Sequence, residues 1–169
     1  MSHEEMVALG KYIITTGGCD DCHSPKIMTQ QGLMPDTTKR FSGSPQGMQL
    51  PPIDSKSLQP GNWISLSSDI TAFVGPWGIS YAVNLTPDSA TGIGAWSEEN
   101  FIKALRTGKH LGQENGRPIL PPMPWHGIGQ KNDQDLKAMF AYLKSLPPIK
   151  NQVPSPVAPP DVGRMIKGK

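Results

Sequence analysis

The chain contains two cysteines, and they stand three positions apart, in Cys19-Asp20-Asp21-Cys22, with His23 directly after them. No other stretch constrains the fold as strongly. A Cys-x-x-Cys pair alone suits a redox couple, half of a metal site or a cofactor attachment site. A thioredoxin-like pair needs a βαβ context, which the flanking sequence lacks. A zinc site needs further ligands, and with no other cysteine His110 and His126 would have to serve. Histidine immediately after the second cysteine is the attachment pattern of c-type haem. Each thiol can add across one porphyrin vinyl group. The two intervening residues let both sulfurs reach neighbouring pyrrole edges, and His23 then lies under the iron with a neutral imidazole nitrogen.

Composition enters here because side chains alone barely fill a core. The 169 residues include 18 Gly and 18 Pro, close to the level at which disorder is the default reading. Leu, Ile, Val and Phe make up about a fifth of the chain, near the lower edge for a self-sufficient core. A long-helix protein and a large buried sheet are excluded. No apolar run approaches the roughly 18 residues needed to cross a bilayer. A porphyrin would supply the missing apolar body. The net charge of +2 is too small for a nucleic-acid footprint, although residues 131–169 carry seven basic and three acidic groups.

Three helices are marked by their ends. Ser2 and Glu5 have the spacing of a capping box, and Met6, Leu9, Gly10 and Ile13 follow at helical intervals. This predicts a helix over residues 3–15, ended by Gly17-Gly18. Ser97 caps a second helix, with Trp96 and Phe101 placed as a hydrophobic staple and Gly108 at the stop. Asn132 caps a third over residues 133–145, where Leu136, Met139, Phe140 and Leu143 form a stripe ended by Pro147-Pro148. Residues 24–95 read as loop with few regular elements, short strands or turns at most, a length that suits a compact domain if the loops wrap a large ligand. The division expected is a mono-haem domain over 1–148, with a loop-rich insertion at 24–95, and a Pro-rich basic tail over 149–169 that reads as an extended arm or linker. No basic-then-apolar leader opens the sequence, so an export signal is expected on the precursor.

Haem iron bound to His23 has a sixth position to fill, and Met123, His126, His110 and several other methionines are candidates. Met123 lies in Leu120-Pro121-Pro122-Met123-Pro124-Trp125. Three prolines stiffen the backbone around one thioether, which helps a weak ligand stay in place. Methionine–histidine ligation is a known cytochrome c arrangement. His126 is the main rival, with a polar loop or surface contact as its expected role. Met28, Met34 and Met48 are read as packing near the haem edge.

These residues resemble the class I cytochrome c family, whose helix, Cys-x-x-Cys-His turn, middle helix, methionine loop and C-terminal helix occur in this order. Gly10-Lys11-Tyr12-Ile13, Ser24-Pro25, Asn84-Leu85-Thr86-Pro87-Asp88, Thr91-Gly92-Ile93-Gly94 with Trp96, Ala104-Leu105-Arg106-Thr107-Gly108, Pro122-Met123-Pro124-Trp125 and Asp135-Leu136 through Leu146-Pro147-Pro148 extend the likeness to the cytochrome subunits of bacterial membrane-bound dehydrogenases. The likeness covers about residues 8–150. It implies a mainly α class I cytochrome c fold, with three or more helices around a covalent haem and long Gly/Pro-rich loops. It also implies that Gly10 lets the N- and C-terminal helices cross near Phe140, and that residues 24–95 cover the propionate side. Asn84, Trp96, Arg40 and Arg106 are candidates to satisfy propionates or nearby backbone, while Asp20 and Asp21 are expected to face solvent. Such subunits carry three haem domains and a membrane anchor, whereas this sequence has one haem motif and looks like a single module.

The function so implied is single-electron transfer by one haem c, from a dehydrogenase-type donor toward a respiratory acceptor, with no catalysis by the chain itself. The expected location is periplasmic or otherwise extracytoplasmic, with membrane association through a partner or a removed anchor. His23 should donate its second ring proton to a backbone carbonyl, expected in the proline-containing loop just after the motif. The alternative is a haem enzyme or gas sensor with a displaceable sixth ligand, for which His110 and Glu114 are the available distal pair. A zinc-binding interaction module is the third reading.

Overall fold

The computed structural model describes residues 1–167. In chain order its elements are α1 (His3–Thr16), α2 (Cys19–His23), β1 (Lys26–Thr29), β2 (Gly32–Pro35), β3 (Ser65–Leu66), β4 (Ala72–Gly75), β5 (Gly78–Tyr81), α3 (Glu98–Thr107), α4 (Trp125–Ile128), α5 (Asp133–Ser145) and α6 (Pro159–Lys167). They fall into two compact units. Met1–Cys19 and Leu85–Lys150 form the first, and Asp20–Asn84 and the described residues from Asn151 onward form the second.

The first unit is helical, and α1, α3 and α5 start where the sequence says they should. Ser2 accepts from the Glu5 N–H while the Glu5 carboxylate takes the Ser2 N–H, completing the capping box of α1. Ser97 and Asn132 each cap their helices, α3 and α5, by accepting a backbone N–H, and Gly108 closes α3 in the left-handed conformation, at φ 66°. Gly10 is where α1 meets α5. A Cβ on Gly10 would lie 1.9 Å from the Ala138 carbonyl oxygen, so only glycine permits this approach. Ile13, Ile14, Phe101, Leu105, Leu136, Met139, Phe140 and Leu143 are all buried, with Phe101 and Phe140 ring centroids 5.3 Å apart. The stretch from Leu85 to Gly94 ends in a tight turn. The Asp88 side chain accepts from the Thr91 hydroxyl and N–H, which holds its carboxyl below the ordinary value. The Ile93 N–H reaches the Thr86 carbonyl.

The second unit holds the short strands allowed for in residues 24–95, each two to four residues long. An antiparallel hairpin pairs β1 with β2, Ile27 facing Met34 and Met28 facing Leu33. An antiparallel sheet runs in the order β3-β4-β5. Every residue of β4 is buried, which removes the polar–apolar alternation that marks a half-exposed strand. Met28 and Met34, expected to pack, are exposed on the hairpin, whereas Met48 is half-buried and takes a hydrogen bond from the Ser44 hydroxyl.

The expected extended arm proves to be packed structure. Val157 pairs with Ile79, and α6 sinks Val162, fully buried, into a cluster with Val74 and Ile79, with Leu50, Ile53, Leu58, Tyr81 and Ile166 around it. Pro159 and Pro160 sit in the first turn of α6, where a missing N–H costs no helical hydrogen bond. Val157, Val162 and Ile166 supply enough apolar surface to hold the segment down. Gly168 and Lys169 of that tail lie outside the described residues.

Candidate functional site

The Cys-x-x-Cys-His sequence folds as the single turn α2. Helical spacing puts Cys19 and Cys22 on one side of this turn. Both are half-buried and keep their thiols rather than forming a disulfide, and burial pushes the Cys22 thiol up. His23 at the end of the turn is only 6% exposed. Its Nδ1 lies 2.8 Å from the Val83 carbonyl oxygen. A carbonyl can only accept, so Nδ1 carries the proton and Nε2 keeps a lone pair. Burial, the largest influence, holds the ring below its ordinary pKa and hence neutral. A buried, neutral imidazole with one nitrogen fixed by a carbonyl and the other nucleophilic is the form that ligates a metal.

The location of that acceptor corrects one expectation. It is not in the loop just after the motif but 60 residues further on. The Pro25 carbonyl is occupied by the Asp36 N–H, which closes the base of the hairpin. The segment after β5 therefore comes back to His23 and offers Val83.

A polar network surrounds α2 in the second unit. The Asp20 carboxylate accepts from the Ser24 hydroxyl and from Arg40, with Arg40 Nε at 2.7 Å. Asp20 thus does not simply face solvent, while Asp21 does. Ser24 Oγ in turn accepts from the Phe41 N–H at 2.8 Å. Lys26 donates to the Asp20 and Ser24 carbonyls, a cation placed against the C-terminal end of a helix. Phe41 is fully buried at φ 61°, a conformation that bulky residues adopt only when their surroundings enforce it.

The other candidates are placed as follows. Asn84 is buried and donates to the Asn151 carbonyl. Arg40 is engaged with Asp20. Arg106 donates to the Gly129 carbonyl and to the Asp133 carboxylate. Trp96 meets the His110 ring edge-on, with centroids 5.4 Å apart. Met123 is half-buried in a loop tied down at both ends, its N–H on the Leu120 carbonyl and its carbonyl on the Trp125 N–H. The Trp125 indole fills the space a side chain at Gly108 would need, and His126 is exposed. His23, Arg40 and Asn84 belong to the second unit, and Trp96, Arg106 and Met123 to the first. Sequence reasoning missed Val83, Gly43 and Asn151. The small-residue run Ser42-Gly43-Ser44 was the one available hint of a close backbone approach.

The donor set fits a covalently attached haem, with two half-buried cysteines on one turn that form no disulfide and one neutral imidazole committed through Nδ1. It does not fit a zinc cluster. Among the described residues no group of three or more His, Cys, Asp or Glu side chains comes together to hold a metal ion. No helix among them is long and apolar enough to cross a membrane.

Comparison with known proteins agrees with this chemistry. The gluconate 2-dehydrogenase cytochrome c subunit of Pantoea cypripedii is 29% identical over 142 residues, 84% of this chain and 23% of the relative. The fructose dehydrogenase cytochrome subunit of Gluconobacter japonicus is 34% identical over 91 residues, 50% of this chain and 18% of the relative. The cytochrome c subunit of the quinone-type alcohol dehydrogenase of Gluconobacter oxydans is 38% identical over 68 residues, 40% of this chain and 14% of the relative. The chain thus spans less than a quarter of the length of these relatives. The family model described as cytochrome c matches residues 7–147. That match begins inside α1, runs through the Cys-x-x-Cys-His turn and ends just past α5, so this protein belongs to the cytochrome c family.

Proposed function

We propose that the chain is a single-electron carrier with one haem c, held through Cys19 and Cys22 and ligated by His23 and Met123. It relays electrons from a dehydrogenase-type donor to a respiratory acceptor outside the cytoplasm. The observation that carries this reading is the buried His23 ring, neutral and fixed through Nδ1 on the Val83 carbonyl. Bound to these residues, a haem supplies an iron that alternates between ferrous and ferric states. The remaining work falls to the polypeptide. Cys19 and Cys22 make attachment permanent. Val83 sets the orientation and donor strength of the imidazole. The backbone bonds on both sides of Met123 and the anchoring of Trp125 over Gly108 restrain the thioether loop, which favours retention of a weak sulfur ligand. The sequence holds one Cys-x-x-Cys-His motif, hence one haem. Relatives named as dehydrogenase cytochrome subunits support the donor class.

The ligand assignment is tested by Met123→Ala in the holoprotein. The sulfur-to-iron charge-transfer band of the ferric form should disappear and the reduction potential should fall, while His126→Ala leaves both in place. Survival of the band in Met123→Ala would assign the ligand elsewhere. With both axial positions filled, ferrous wild-type protein should bind carbon monoxide poorly. Rapid, stoichiometric binding would replace the carrier reading with a haem enzyme or gas sensor.

A further inference from the structure

The C-terminal segment reaches back to the surroundings of His23 at Asn151. Its side-chain nitrogen donates to the Ser42 and Ser44 carbonyls at 2.7 and 2.9 Å. Its side-chain oxygen accepts from the Gln46 N–H at 2.8 Å, and its main-chain carbonyl accepts from the Asn84 side chain at 3.5 Å. The two carbonyls it grips flank Gly43. The Gly43 N–H donates to the His23 carbonyl at 2.8 Å, and the Ser44 N–H donates to the Ala82 carbonyl at 2.8 Å. Gly43 sits at φ 77°, and a Cβ there would lie 2.5 Å from the Ala82 oxygen and 2.7 Å from the Val83 oxygen. The loop is therefore packed flat against the peptide whose carbonyl holds the imidazole. Asn84, held from the other side by the Asn151 carbonyl, is the residue directly after Val83.

Asn151 thus bonds to both halves of the arrangement around His23: the loop that fixes its main chain, and the strand extension that fixes its ring. We propose that Asn151 is a positioning residue for His23, keeping the Val83 carbonyl seated on Nδ1 and so setting the donor strength of the imidazole. The proposal rests on the reading of His23 as the iron ligand. An Nδ1–H bonded to a carbonyl makes Nε2 a stronger donor, which favours the ferric state. Loosening that bond weakens the donor and raises the reduction potential. A side chain that only braced the fold would change stability without moving the potential.

The test uses the holoprotein with Asn151→Ala, and with Asn151→Leu, which is nearly isosteric and uncharged and loses the side-chain bonds to Ser42, Ser44 and Gln46. Gln152→Ala is the control, since that exposed amide reaches only as far as the adjacent Val153 carbonyl. Two quantities are read: exchange of the His23 ring proton and the Gly43 amide by nitrogen-15 NMR, and the reduction potential. Loss of the hydrogen bonds to Ser42 and Ser44 should speed exchange at both sites about tenfold, and the potential should rise in both Asn151 variants but not in the control. Should the alanine variant fail to fold, the leucine variant decides. Folded variants with wild-type potential and wild-type exchange, or with a lowered melting temperature alone, overturn the proposal. The wild-type spectrum tests the underlying reading separately. His23 ring protons without the large upfield displacement expected over a porphyrin would remove His23 as a ligand, and the proposal with it.

Discussion

At Gly10 the contact between α1 and α5 depends on the absence of a side chain. The nearest obstacle is the Ala138 main-chain carbonyl, 1.9 Å from where a Cβ would stand, and the Tyr142 Cβ follows at 2.9 Å. Neither can swing away as the end of a flexible side chain could. Gly10→Val should therefore cost about 3 kcal/mol, read as a lower denaturant midpoint at unchanged slope. Gly163 offers the opposite case. It lies in α6 with no atom within 4 Å of a Cβ, so Gly163→Ala should stabilise by about 0.5–1 kcal/mol. Equal effects of the two substitutions would refute the close crossing at Gly10. The crossing itself followed from the family likeness, and the structure places it at Ala138 and Tyr142, two positions on either side of Phe140.

Among elements, those determined by their own neighbours were legible and those determined from afar were not. The caps of α1, α3 and α5 are contacts across three residues, and Ser2, Ser97 and Asn132 announced them. The small sheet was legible only as short strands or turns, because a strand buried on both faces shows no alternation to fix its position. The acceptor for His23 was hidden because a backbone carbonyl carries no residue signature, and its distance along the chain defeats any local pattern. The tail was misread for a related reason. Its prolines suggested an arm, while the cavity that receives Val162 is built by β4 and β5, far away in sequence. Val162→Ala should accordingly cost about 2 kcal/mol, whereas Met165→Ala, at a side chain 48% exposed, should stay within about 0.5 kcal/mol. Thermal unfolding of the two variants checks this. An unchanged midpoint for Val162→Ala would mean that α6 is not held by its buried face.

For the whole molecule the polypeptide charge is +2. Two haem propionates add about −2 at neutral pH, leaving little net charge besides the iron's own. Long-range steering, which needs a substantial imbalance, should then be weak. The second unit instead presents apolar side chains to solvent, among them Met28 at 77% and Trp63 at 91% exposure. Docking to a redox partner should therefore rely on local apolar contact, and the second-order rate constant of electron transfer should change only modestly with ionic strength. A steep fall with added salt would point to a charged docking site. All of this presupposes that the haem is part of the polypeptide, and the mass of the intact holoprotein under denaturing conditions tests that most directly. One species is expected, heavier than the 18.3 kDa chain by a single haem, because thioether bonds at Cys19 and Cys22 survive when axial bonds break. A mass equal to the bare polypeptide would contradict it.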